Sequence, residues 1–74
     1  VVFGKVSKNT VFVMTPEYNA EIRIYDTDGR VVYTKKFDGT FYKFNIDISS
    51  FNQGMYVVTL TANGENYSAR FVKE

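Results

Sequence analysis

The sequence predicts an all-β fold, an immunoglobulin-like antiparallel β-sandwich of about seven short strands. Turn signals recur at short intervals, at Asp28-Gly29, Asp38-Gly39, Gln53-Gly54 and Asn63-Gly64. Between them apolar and polar residues alternate, the pattern of strands with one buried face. Tyr56, two residues past Gly54, stands at the start of one such run. A tyrosine there predicts a tyrosine corner, its ring in the core and its hydroxyl bonded to backbone a few residues upstream. Tyr56 would then pin a crossing between two sheets.

The strands follow in order. Residues 1–3 read as a short first strand and 10–14 as a second. In 20–26, Ala20, Ile22 and Ile24 share one face, with Glu21, Arg23 and Tyr25 on the other. Asp26-Thr27-Asp28-Gly29 is a turn in which Gly29 supplies positive φ, and 30–37 is the next strand. In 41–48, Tyr42, Phe44, Ile46 and Ile48 oppose Lys43, Asn45 and Asp47. In 55–62, Tyr56, Val58, Leu60 and Ala62 oppose Val57, Thr59 and Thr61. Asn63-Gly64 is a type I′ hairpin signal, because both central positions of that turn need positive φ. It leads into 65–73, where Tyr67, Ala69 and Phe71 oppose Ser68, Arg70 and Val72. Pro16 falls in a loop, where its missing amide donor costs nothing.

The 74 residues form a single domain, 1–74. A sandwich usually takes about 100 residues, so this one is near the lower limit for a self-sufficient core. The chain starts Val1-Val2-Phe3, without initiator Met or signal peptide. It therefore reads as a fragment of a longer polypeptide, trimmed or lacking a strand or two. The aromatic share of 18% is all Tyr and Phe, which favours strands over disorder.

Composition also excludes functions. The net charge is +1 and Lys35-Lys36 is the only adjacent basic pair, so the electrostatic footprint of a nucleic-acid or anionic-membrane binder is missing. No apolar run approaches the roughly 18 residues of a membrane span. With no His and no Cys, Ser-His and Cys-His catalysis and the usual zinc sites are ruled out.

Three constellations remain. Asp26 and Asp28 are the closest carboxylates; calcium would need more oxygen ligands, and turn chemistry explains them better. Tyr18, Tyr25, Tyr33 and Phe41 would make a sugar-stacking platform if they shared an exposed face, but core filling and cross-strand pairing explain them better. Ser49-Ser50 has no base to activate it, and corner capping accounts for it. The reading is of a non-enzyme without a cofactor. The last strand is either an ordinary terminal strand or an exposed terminal signal, and the residues alone leave both open.

A family resemblance narrows this. Ile24-Tyr25-Asp26-Thr27-Asp28-Gly29-Arg30-Val31-Val32 resembles the IYDxxGRxV segment of the C-terminal sorting domains of the type IX secretion system. Residues 46–58, from Ile46-Asp47-Ile48-Ser49 through Gly54-Met55-Tyr56-Val57-Val58, resemble that family's IDISxLxxGxYxV segment. Ala69-Arg70-Phe71-Val72-Lys73-Glu74 is similar to its closing motif, which usually has Lys near the Arg70 position. The three fall in family order over residues 20–74. The YPNP motif that often opens the family is absent.

The resemblance implies a non-catalytic sorting signal on a secreted protein of Bacteroidetes. The cargo would pass through the periplasm and be carried across the outer membrane by the type IX translocon. A sortase would then commonly remove the signal, leaving cargo at the cell surface or in the medium. Candidate recognition residues are Gly29, Arg30, Gly54, Arg70, Val72, Lys73 and Glu74. The glycines would shape turns, and Arg30, Arg70 and Lys73 would make charged contacts, unless Arg30 and Arg70 only pair with exposed acids across the sheet. Edge strands would also permit a homodimer. The alternatives are a carbohydrate- or protein-binding sandwich appended to a secreted enzyme, and a passive spacer between other domains.

Overall fold

The computed structural model describes residues 1–15, 19–39 and 43–74. Pro16, Tyr18, Phe41 and Tyr42 lie outside the described residues, and with them the readings that fell there. The elements are β1 (Val2–Ser7), β2 (Thr10–Met14), β3 (Glu21–Tyr25), β4 (Val31–Lys36), β5 (Lys43–Asp47), β6 (Gly54–Ala62) and β7 (Glu65–Lys73). They form two antiparallel sheets, one ordered β1-β2-β5 and the other β4-β3-β6-β7. The predicted all-β sandwich is the observed fold.

The first strand departs from expectation. It runs to Ser7 instead of stopping at Phe3, pairing from Val2 opposite Met14 to Ser7 opposite Thr10. As an edge strand it is mostly exposed, so its sequence lacks the apolar alternation that marks a half-buried strand. The following turn, at Lys8-Asn9, carries no glycine. The later hairpin behaves as its sequence requires. Asn63 and Gly64 have φ of 53° and 78°, and β6 and β7 pair without a shift from Gly54 opposite Lys73 to Ala62 opposite Glu65.

The core lies between the sheets and is built from the alternating sets. Val11, Val13 and Ile46 come from the three-stranded sheet, and Ile22, Ile24, Val58, Leu60, Ala62 and Phe71 from the other; all are buried. Burying each Val, Leu or Ile fully is worth roughly 1.5–3 kcal/mol. Few such residues are available to a chain this short, so none is spare.

The segment between β5 and β6 carries the chain from one sheet to the other. The Asp47 carboxylate accepts from the Ser49 amide at 2.9 Å, and the Phe51 amide donates to the Ile48 carbonyl at 3.0 Å. The Ile48 amide donates to the Asn9 carbonyl at 2.8 Å, tying the corner to the β1–β2 turn, while its side chain is fully buried. The Tyr56 hydroxyl donates to the Asn52 carbonyl at 2.7 Å. Its ring is 7% exposed and lies 5.0 Å from Phe51 and 5.5 Å from Phe71, centroid to centroid.

Tyr56→Phe keeps the ring and deletes that bond. We expect it to lower unfolding free energy by about 1 kcal/mol, the usual scale of one hydrogen bond. A denaturation midpoint equal to that of the parent would show that the hydroxyl contributes nothing.

Candidate functional site

The β3–β4 turn is organised by Asp26. One carboxylate oxygen accepts from the amides of Asp28 at 2.9 Å and Arg30 at 3.0 Å. The other accepts from Arg30 Nε at 3.0 Å. The Asp26 carbonyl takes the Gly29 amide at 3.1 Å, which requires the chain to reverse at Gly29 with φ of 81°. Asp26 is therefore committed to its own turn, as turn chemistry predicted, and Arg30 is committed with it. Arg30 also lies 3.9 Å from Asp28, and its side chain stays mostly in solvent.

Strand register brings the candidate residues together. Val31, Tyr25, Val57 and Arg70 lie side by side across all four strands of one sheet. One step further along the same face, Met55 opposes Val72, at 43% and 47% exposed. The Gly29-Arg30 turn, the β6 start at Gly54 and the β7 end at Lys73 all sit at this end of the sheet. The seven candidates, from three separate segments of the sequence, thus share one end of the four-stranded sheet.

They differ in what they offer. Arg70 is exposed and, among the described residues, has no ion-pair partner. Val72 is apolar and half exposed. Gly54 has φ of 148°, which side-chain-bearing residues rarely adopt. Lys73 departs from the expected surface contact. It continues the inward set of Tyr67, Ala69 and Phe71, is 8% exposed, and donates to the Glu74 carbonyl at 3.1 Å. Its methylenes pack while its ammonium is held locally, which argues for a packing role.

Lys5 is the site residue that the sequence reading missed. It reaches from β1 in the other sheet, and its Nζ donates to the Val72 carbonyl at 2.7 Å. The same ammonium lies 3.9 Å from the Glu74 carboxylate. The available signal is the continuation of β1 to Ser7, which no apolar alternation records beyond Phe3. Between β1 and β7 a cleft of about 240 Å³ is lined by Phe3, Phe12, Val58, Ala69 and Phe71, with Arg70 at its side.

The predicted aromatic platform is not assembled by its described members. Tyr25 lies on the outer face beside Val57, whereas Tyr33, beside Ile24, packs against the core. Burial raises the Tyr33 pKa. On the outer face the Tyr25 hydroxyl and then Glu21, whose carboxylate is 3.2 Å away, raise the pKa of Arg23. Among the described residues no helix is long and apolar enough to cross a membrane.

Two carboxylates are held below the usual range, Asp26 chiefly by the Arg30 amide and Asp47 chiefly by the Ser49 amide. Each binds its proton less readily folded than unfolded. Their stabilisation is complete above the ordinary carboxylate pKa and is lost as pH falls through the lowered folded values. A pH titration of the melting temperature should therefore fall on the acid side, and Asp26→Asn should flatten that fall. An unchanged acid limb in Asp26→Asn would remove the carboxylate from this role. Gly29→Ala, with open space but positive φ, should cost about 1–2 kcal/mol through backbone strain alone.

Comparison with known proteins bears on this arrangement. Residues 6–74 match the family described as Secretion system C-terminal sorting domain. Comparison with curated proteins finds no match. Among solved structures, the chain is similar to a DUF3244 family protein from Bacteroides vulgatus ATCC 8482 with an immunoglobulin-like β-sandwich fold. The TM-score is 0.82 and the identity 23%, over 92% of this chain and 78% of that one. At that identity the likeness speaks for the fold alone. A secretion-signal domain is a non-catalytic kind of domain. With the turn at Asp26, the corner at Asp47 and the whole of β7 inside the matched span, the chain belongs to the secretion system C-terminal sorting domain family, whose type IX sorting role is export to the cell surface or medium through the secretion machinery.

Proposed function

We propose that this domain is the address label of a larger cargo, read as a folded unit by the outer-membrane translocon after passage through the periplasm. A surface sortase then removes it. The observation that carries the reading is the gathering of Gly29, Arg30, Gly54, Arg70, Val72 and Glu74 at one end of a single sheet. A receptor that reads a folded label needs determinants on one rigid face, so that no ordering cost is added on binding. In this reading Gly29, Gly54, Asp26 and Lys73 build the face, while Arg70, Val72 and the exposed Glu74 are touched. Arg30 contributes its outer edge only, since Asp26 already holds it.

The test is a transplant. Residues 1–74 are fused to the C-terminus of a fluorescent periplasmic reporter in a bacterium with a working type IX system and in a translocon-deficient strain. Translocon-dependent appearance of reporter on the surface or in the medium is expected. Retention in both strains with folded reporter and folded label would overturn the proposal. Removing residues 65–74 should strand the reporter in the periplasm, because it deletes β7 and with it Phe71 from the core.

A further inference from the structure

We infer that the free edge of β7 is a strand-addition site. It takes an extended segment of a partner protein that has apolar side chains at alternate positions and a carboxylate opposite Arg70. The inference deepens the label reading, on which it rests for placing that partner in the export machinery.

The first ground is the edge itself. Among the described residues β7 is the outermost strand of its sheet, nine residues long and paired with β6 in unbroken register. Its outward polar groups are identifiable. The Val72 carbonyl accepts from Lys5, a residue of the other sheet, so it points away from β6. Amide and carbonyl of one strand residue point the same way, and the direction alternates. Asn66, Ser68 and Arg70 therefore also turn their backbone groups outward.

Native edges are usually blunted by proline, bulges, short length or charge. Elsewhere in the described residues those devices are present. β4 carries an irregular register against β3 together with Lys35 and Lys36, β1 is irregular between Lys5 and Ser7, and β5 has five residues. On β7 the guard is instead the removable ammonium of Lys5, bonded to one carbonyl.

The second ground is what lies beside the edge. A strand added to β7 projects every second side chain toward the interior, where the cleft is mainly apolar, lined by Phe3, Val58, Ala69 and Phe71 among others, with Lys5 and Arg70 also in its lining. The intervening side chains face outward beside Ser68, Arg70 and Val72. Of these Arg70 is a cation without an ion-pair partner among the described residues, and a carboxylate is its complement.

The probe is a capped, fluorescent nine-residue peptide of alternating threonine and valine with a central glutamate, and its counterpart with a central lysine. Titration into the whole domain, followed by anisotropy and amide exchange, should slow exchange at Asn66, Ser68, Arg70 and Val72. Ser68→Pro removes one outward donor and leaves the β6 ladder intact, so binding should weaken by about tenfold while the melting temperature holds. Lys5→Ala should tighten binding, and Arg70→Glu should reverse the preference between the two peptides.

Unchanged exchange at those four amides at millimolar peptide would overturn the inference, as would equal binding by a stably folded Ser68→Pro. Slowing of the same amides with domain concentration, without peptide, would assign the edge to a second copy and overturn the hetero-partner. In the reporter fusion, delivery of the parent but not of folded Ser68→Pro supports strand addition as the means of reading. Equal delivery of both overturns it and leaves the label reading standing. Failure of the parent fusion would reject the label reading, and the peptide result would then decide the strand site by itself.

Discussion

The hydrogen bond from the Tyr56 hydroxyl to the Asn52 carbonyl lies at the one place where this chain changes sheets after β5. Everything C-terminal to it depends on that change being made at one angle. Six residues separate β5 from β6. Within them the Asp47 carboxylate, the Ile48 carbonyl and the Tyr56 ring leave the backbone little freedom. The ring then continues into the stack on Phe71, so the corner also seats β7. A looser corner would let β6 rotate, and β7 would rotate with it because the two share one hairpin. Arg70, Val72 and the edge beside them would lose their common geometry.

A second constraint is size. With 74 residues in two open sheets, the sandwich cannot close its own edges as a barrel would. Among the described residues the two sheets have four edge strands, and the irregular registers, lysines and short strands on three of them are ways of living with that. β7 is different because its inward positions, Tyr67, Ala69, Phe71 and Lys73, are needed by the core. A bulge there would throw half of those side chains to the outside, since a one-residue slip exchanges the two faces. The long regular edge is thus a consequence of building a core from so few residues. The contact from Lys5 covers one end of it without altering the strand.

Much of the fold was legible because period-two burial and turn glycines leave direct marks in sequence. Ile22 and Ile24, Ile46 and Ile48, and the run from Tyr56 to Ala62 all lie on the face their alternation specified. Gly29 and Asn63-Gly64 adopt the φ values their turns demand. The misses also have causes. β1 has solvent on both sides of most of its length, so no apolar pattern records it, and the reach of Lys5 to Val72 is a contact across 67 positions that no local pattern encodes. Lys73 stands in the inward set and is buried, a position that its charge obscures in the sequence. The commitment of Arg30 to Asp26 was hidden because the pairing belongs to a turn whose geometry depends on Gly29.

The segments that carry the family resemblance prove, in physical terms, to be mostly folding instructions. In the first, Asp26 collects two amides and a guanidinium and Gly29 reverses the chain. In the second, Asp47 and Ser49 make the corner, Gly54 takes a φ that other residues avoid, and Tyr56 locks the result. Little of either is left over to touch a receptor. The closing segment is the exception, for Arg70 and Val72 point outward while Phe71 and Lys73 hold the strand in place. Substitutions in the first two segments should therefore impair sorting by unfolding the domain, with lowered melting temperature. Outward substitutions in β7 should impair it in domains that remain fully folded. Under the proposed reading, that division would place most of the label's contact surface on the edge and outer face of β7, with the outer edge of Arg30 beside it, and its construction in the segments before.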